Sequence, residues 1–455
     1  MKKRKILSLL SLGAVALSLA ACGGGQKKTD SSKSEKVNDK VSVEVWLTPQ
    51  WKGVYSPDED GADYDSFLKT AAEKYEKEHP NVDIKVQVIP SESRSDKLSV
   101  AIQTKTLPDI FFDSSFALSE YAHMGVISPL DDIIDKDTKK DIPKTIWNNV
   151  EIEGKTYFYP FSHNPGTLVY NAEMFKQAGL DKYIGGENEI VTWSQDDLTE
   201  ILTALKQKLP DVSPFGLWAK NNQGDTWTMS YLRMEGNKFF GKDNKLVVNE
   251  KDGVSALTYL NDLRKKGLTT SGPESLTSND VNAMFQNKQV AVSFTNAVLF
   301  SNIKNDMENG KVEKFDMRLA NIPGKKQPTS FTYVTSSVAF NTGNKEKMAA
   351  AKDFIKFYST DKELVKASRN SLPVRTSVIN ELKSELPYLP AYEKNAQYII
   401  NFSNNVPGYS ELRNALFPQI QAVFTDASKP QEAMDEFVQQ GNQILENNMK
   451  KSVIK

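Results

Sequence analysis

Residues Val41 to Leu47 alternate apolar and polar side chains with a period of two, the pattern of a half-buried strand, and the same alternation returns at Val82 to Val88. Between them, the apolar positions of residues 64–77 recur at helical spacing, and His79-Pro80 ends the run. A second helical stretch covers residues 95–104, and Pro108-Asp109-Ile110-Phe111-Phe112 reads as a fully buried strand. This β-α-β-α-β order predicts a parallel sheet with right-handed crossovers. Ligands of such sheets sit beyond the carboxyl ends of the strands, so residues 48–63 and 113–117 should face one crevice.

Farther along, residues 157–161 and 167–171 read as two strands joined by the bend Ser162-His163-Asn164-Pro165-Gly166, with a helix over residues 174–178. A crossing between two parts of the fold belongs at that bend. Alternating helices and loops then lead to residue 287, and a buried strand over residues 289–294 ends in Thr295-Asn296, the expected return crossing. Residues 331–340 are apolar with small side chains, a third crossing is expected at residues 338–341, and the chain is mainly helical after Lys345. No internal repeat is visible.

Composition narrows the function. A chain of 455 residues exceeds the roughly 250 to 300 that one core supports, so two lobes are expected. With 39% hydrophobic and 25% charged residues it suits a globular protein. Lys and Arg total 57 against 58 for Asp and Glu, leaving no basic excess to neutralise a phosphate backbone, which argues against nucleic acid as a partner. The single cysteine, Cys22, precludes a disulfide, and the only histidines are the scattered His79, His123 and His163. Asp58, Glu59, Asp60, Asp63 and Asp65 crowd one loop, but their spacing does not match an EF-hand, and a solvated acidic loop is the expectation. No metal and no cofactor is expected. No P-loop, nucleophile elbow or paired zinc histidines appear.

The N-terminal region reads as an address. Lys2-Lys3-Arg4-Lys5 precede an apolar run over residues 6–20, as in a secretory signal. Leu19-Ala20-Ala21-Cys22 resembles the lipobox of bacterial lipoproteins, which implies cleavage after residue 21 and a lipid on Cys22 holding the protein to the outer face of the cell membrane. Residues 23–40, rich in Gly, Lys, Ser and Asp, read as a flexible tether.

Tyr159-Pro160 through Tyr170-Asn171, Met174-Phe175 and Ala178-Gly179-Leu180 resemble the extracellular sugar-binding proteins of ABC importers, the group that includes maltose-binding protein. Leu107-Pro108-Asp109-Ile110, residues 125–130, Thr192-Trp193-Ser194, residues 284–288, residues 354–357 and Leu372-Pro373-Val374-Arg375 are similar to that family's recurring patches, in the family's order. The resemblance implies an α/β fold of two lobes, the periplasmic-binding-protein or Venus flytrap plan, joined by three hinge crossings. On it, residues 41–162 plus 297–338 are expected to form one lobe and residues 163–296 plus 339–455 the other. It further implies a monomeric, non-enzymatic receptor that captures a carbohydrate and hands it to a permease; the region of Trp218 and Trp227 and the long first loop lean toward an oligosaccharide. Alternatives are a receptor of the same fold for a polyamine, phosphorylated polyol or metal, or a secreted glycosidase, which needs only two carboxylates beside a cleft.

A sugar ring presents an apolar face and a rim of hydroxyls that donate and accept at once. Aromatic faces suit the first, and planar amides, carboxylates and guanidinium groups the second. Trp227 falls where the family often carries a stacking aromatic, or else it is a core tryptophan; Trp218 has similar neighbours. Asn164, with His163 beside it, stands at the first crossing, where its amide either meets hydroxyls or satisfies the bent backbone. Asp113 and Ser114 follow the third strand, where Asp113 either accepts from hydroxyls or caps a helix. Asn296 resembles a hinge-side polar residue of the family, but Ala297, Val298 and Leu299 stand where an aromatic often follows, so that platform is lost or moved to Phe300. Trp51, Tyr333, Tyr409 and Arg413 are further candidates, with packing or a solvated face as the alternative. Trp46 and Trp193 read as core.

Overall fold

The first alternating stretch forms strand β1 (Val41–Leu47), which buries Val43, Val45 and Leu47 in one apolar cluster and Trp46 in a different cluster. Both faces of β1 are thus covered, as a parallel sheet flanked by helices requires. Helix α1 (Ser66–Glu78), β2 (Val82–Val88), α2 (Arg94–Thr104) and β3 (Ile110–Ser114) follow within about two residues of the predicted bounds, except that β3 extends to Ser114. β1 pairs in parallel with β2 and β3, as the β-α-β-α-β order predicts. This computed structural model describes residues 40–51, 54, 64–220 and 225–454. The signal, Cys22 and tether readings, and the acidic positions 58–63, lie outside the described residues.

Residues 157–171 depart from the predicted strand, bend and strand. They contain one 13-residue strand, β4 (Tyr159–Asn171), with two prolines inside it. β4 serves both halves of one sheet. Residues 159–165 pair antiparallel with β8 (Thr332–Phe340), and residues 166–170 pair with β6 (Val290–Asn296). The partner changes between Pro165 and Gly166, where the sequence showed a bend. With β5 (Ser213–Phe215) the order runs β2-β1-β3-β8-β4-β6-β5. At the change of partner, the Gly166 N–H donates to the Phe331 carbonyl at 2.9 Å, and a Cβ on Gly166 would lie 2.0 Å from the Phe331 ring. Only glycine lets these two segments approach so closely.

The third crossing is not at residues 338–341. Val338 pairs with Phe111, and the Phe340 N–H donates to the Asp109 carbonyl at 3.0 Å, so this stretch lies inside the sheet. The chain instead meets the change of partner at Ser330 and Phe331. Two segments also fall outside the lobe division drawn from the sequence. β7 (Met317–Ala320) pairs with the Leu168–Asn171 end of β4, beyond the switch to β6. Helix α7 (Lys345–Thr360) buries Ala351, Phe354, Ile355 and Tyr358 in the cluster that holds Val43 and Val45. Strand pairing and helix docking of this kind are long-range and leave no local pattern. Among the described residues, no helix is long and apolar enough to cross a membrane.

Candidate ligand-binding site

A cavity of about 530 Å³ opens where β3 and β6 end, the carboxyl edge at which the sheet order predicts a crevice. Ser114 closes β3 and Asn296 closes β6; Asn164 reaches the cavity from the middle of β4, Phe331 from just before β8 and Tyr333 from its start. Helix α3 (Ser115–His123) contributes Phe116. Helix α4 (Asp225–Tyr231) contributes Trp227. Helix α5 (Ser278–Gln286) brings Asn279 and Asn282, α6 (Ala297–Glu308) brings Val298, Leu299 and Asn302, and α8 (Tyr409–Phe424) brings Arg413.

Seven of the sequence candidates therefore meet around one space: Ser114, Asn164, Trp218, Trp227, Asn296, Tyr333 and Arg413. Their availability differs. Trp227 is 2% exposed and stacks on Phe294 at 4.9 Å and 25°, with Trp218 edge-on at 5.3 Å. One indole face is already used, so Trp227 forms the cavity floor rather than an open stacking surface. Tyr333 and Phe116 are half-buried and lie 5.5 Å apart, with Phe402 behind both, and they offer the accessible ring area. The Arg413 guanidinium lies over Phe116 at 5.9 Å.

The two seam amides are half-committed. Asn164 Oδ1 accepts from the Val298 N–H at 3.1 Å, and Asn296 Oδ1 accepts from the Leu299 N–H at 2.9 Å as the cap of α6. Each carbonyl spends one of its two lone pairs on the helix start, which fixes the amide's orientation while its N–H groups and one acceptor site remain for a ligand.

Four candidates do not line the cavity. Asp113 is buried: Oδ1 accepts from the Thr48 hydroxyl at 2.8 Å and the Ser114 N–H at 2.7 Å, and Oδ2 pairs with Arg94 at 2.7 Å. His163 is next to Asn164 on an extended strand and so points to the opposite face, where it meets the Thr332 hydroxyl at 3.3 Å. Trp51 packs among Phe67, Phe112 and Phe161 at 5.6 to 6.0 Å. Tyr409 is 3% exposed and supports Phe116 from behind. Phe300 is likewise core, against Tyr388, so the missing aromatic after Asn296 is replaced by the half-exposed Val298 and Leu299. Trp46 and Trp193 are buried, as expected.

The sequence reading missed Phe116, Phe294, Phe331, Asn279, Asn282 and Asn302. Phe116 lay inside the predicted crevice loop, and Asn279 and Asn282, three apart on a helix, share a face. Nothing local said that this face meets the end of β3. Among the described residues, no cluster of three or more His, Cys, Asp or Glu could hold a metal ion.

Burial pushes the His163 pKa down from 6.5 to about 3. Above pH 6.5 the ring is neutral whether the chain is folded or not. Below that, the unfolded chain takes up a proton that the folded chain refuses, so stability falls as pH drops from 6.5 toward 3, by about 2 kcal/mol at pH 5 from this residue. Urea unfolding at pH 7 and pH 5 should show that loss, and His163→Gln should remove most of it. An unchanged pH dependence in the variant would assign the loss to other groups, among them His123, whose pKa burial also lowers.

Residues 58–364, about two thirds of the sequence, match the family of bacterial extracellular solute-binding proteins. The chain belongs to that family. This solute-binding protein is 22% identical over 382 residues to the multiple sugar-binding protein of Streptococcus mutans, covering 80% of this chain and 81% of that one. It is 25% identical over 309 residues to the sn-glycerol-3-phosphate-binding periplasmic protein of Salmonella paratyphi A, covering 63% and 66%. Its fold matches the crystal structure of the cyclic α-maltosyl-1,6-maltose binding protein from Arthrobacter globiformis with a TM-score of 0.72 at 20% identity, over 90% of this chain and all of the other. The solute-binding protein thus has the two-lobed α/β fold of its family, with the cavity at the sheet seam.

Proposed function

We propose that this protein is the carbohydrate-binding subunit of an ABC importer. It captures a saccharide in the seam cavity and presents it to a membrane permease. The observation that carries this reading is the pairing, in one cavity, of accessible ring area from Phe116 and Tyr333 with amides from four different elements. Aromatic faces match the C–H side of a sugar, and amides match its hydroxyls. Sugar-binding relatives support the same assignment. Described lining residues include no Asp or Glu, so they supply neither member of the carboxylate pair that a glycosidase uses.

Two lobes dividing across the middle of β4 would move as rigid bodies about the seam at Pro165, Gly166 and Phe331, and a ligand touching both would favour closure. The lipobox-like residues before Cys22 support a lipid tether to the outer face of the membrane, within reach of the permease, and on this reading the protein works as a monomer.

Tyr333→Ala is expected to weaken saccharide binding by about thirtyfold or more, and Tyr333→Phe by far less, because the ring rather than the hydroxyl is the contact surface. Isothermal titration calorimetry, with a ligand found by thermal-shift screening of mono- and oligosaccharides, measures both. Equal affinity of the alanine variant and the parent would remove Tyr333 from the site, and a screen without any stabilising saccharide would reject the carbohydrate reading.

A further inference from the structure

Arg233 does not line the cavity, and it is only 8% exposed. A fold rarely encloses such a cation without an anion beside it. Among the described residues Arg233 forms no ion pair. Its guanidinium donates instead to three carbonyls: Nη1–H to Met229 at 3.3 Å, Nη2–H to Phe402 at 3.3 Å and Nε–H to Lys238 at 3.4 Å. The central carbon of the group lies 5.0 Å from the centre of the Phe239 ring. That ring is brought there by a left-handed backbone, φ +64°, which a bulky side chain seldom adopts, and the Phe239 N–H is fixed on Asn237 Oδ1 at 2.7 Å. Burial pulls the Arg233 pKa down from 12.5 to about 10, so the group is still charged at pH 7.

An apolar side chain of similar volume would fill this space without the cost of burying a charge. What it could not do is hold three segments at fixed angles, which a planar fork of five donors can. The segments are those behind the ligand site. Met229 lies on α4, the helix that carries Trp227 to the cavity floor. Phe402 stands behind both accessible rings, 5.7 Å from Phe116 and 5.9 Å from Tyr333. The chain also passes between the halves of the sheet just here, because Ile399 belongs to the apolar cluster of Phe111 and Phe402 to that of Phe294. We propose that Arg233 is a positioning residue of the ligand site: by tying the Phe402 backbone to α4, it sets where the Phe116 and Tyr333 rings stand relative to the Trp227 floor. It touches no ligand itself. The inference rests on the carbohydrate reading and deepens it.

Arg233→Lys keeps the charge and most of the stem but loses the fork. The probes are oligosaccharides from hydrolysed starch, xylan, inulin and galactan, offered to the purified protein in native mass spectrometry; calorimetry follows with the one retained. Arg233→Lys should weaken its binding about tenfold. Combined with Tyr333→Ala it should bind within about threefold of Tyr333→Ala alone, because the first change acts through the ring surface that the second has already removed. General destabilisation would not depend on Tyr333, and the two losses would then multiply. A further loss of about tenfold in the double variant would therefore overturn the proposal, as would unaltered binding by Arg233→Lys. A second measurement needs no ligand: the fluorine resonance of 4-fluorophenylalanine in place of Phe402 should shift or broaden in Arg233→Lys, and an unmoved resonance would also overturn the proposal. If the folded parent retained no saccharide, the carbohydrate reading would fall, while the fluorine resonance would still decide whether Arg233 holds Phe402.

Discussion

Replacing Trp227 with alanine should lower the unfolding free energy by about 3 to 5 kcal/mol, the range for removing a large aromatic from a packed interior. Trp227 sits in a ring cluster with Phe294 stacked on it, Trp218 edge-on and Tyr231 at 6.0 Å, and it is almost wholly enclosed. None of these neighbours can collapse into the space without giving up its own ring contacts, so the void persists. The same void would adjoin the cavity floor, and saccharide affinity should fall with stability. Trp227→Phe separates the two effects. It keeps a ring against Phe294 and removes an indole N–H that has no hydrogen-bond partner among the described groups, so its cost should stay below about 1.5 kcal/mol. Urea denaturation of both variants beside binding calorimetry provides the comparison. A loss under 1 kcal/mol for the alanine variant would mean that the cluster is not packed as described.

The second large effect concerns a residue whose sequence position suggested ligand binding and whose surroundings say otherwise. Asp113→Ala removes a carboxylate that holds Arg94, the Thr48 hydroxyl and the Ser114 N–H together at the end of β3. Breaking a buried pair from one side costs about 3 to 5 kcal/mol. The Arg94 side chain is 21% exposed and keeps some water, so the low end, about 3 kcal/mol, is expected. Asp113→Asn, able to retain the Thr48 bond, should lose roughly half as much. Saccharide affinity of the folded fraction should barely change. A tenfold or greater drop, the size expected when a charged hydrogen bond to a ligand is lost, would show that Asp113 meets the ligand after all.

The same contrast separates what was legible in the chain from what was not. Ser114 was a candidate because it follows a buried strand, and strand ends in a parallel sheet define a crevice, whereas Asn296 was a candidate from the expected return crossing and the family resemblance; both line the cavity. His163 and Asn164 were inseparable in the sequence, being adjacent in an apparent bend. Once residues 159–171 are seen as one strand, alternation sends them to opposite faces, and only Asn164 reaches the cavity. Trp227 was read as a stacking aromatic from the family resemblance, with a core tryptophan as the alternative, and its remaining exposure is decided by Phe294 and Trp218.

By itself, the sequence determined the α/β class, the elements from β1 to β3 and their parallel pairing, the family, and the edge of the sheet at which the cavity lies. These follow from short-range periodicity and from connection rules that leave few topologies open. Tertiary structure alone decided that β4 runs unbroken through both halves of the sheet, that the chain meets the change of strand partner near Phe331, and that α5 and α6 bring amides to the cavity. Those features depend on pairings between residues more than a hundred positions apart, such as Asn164 with Val298 and Gly166 with Phe331. Such a pairing is fixed by the shape of the assembled core, to which no stretch of chain contributes enough to reveal it alone.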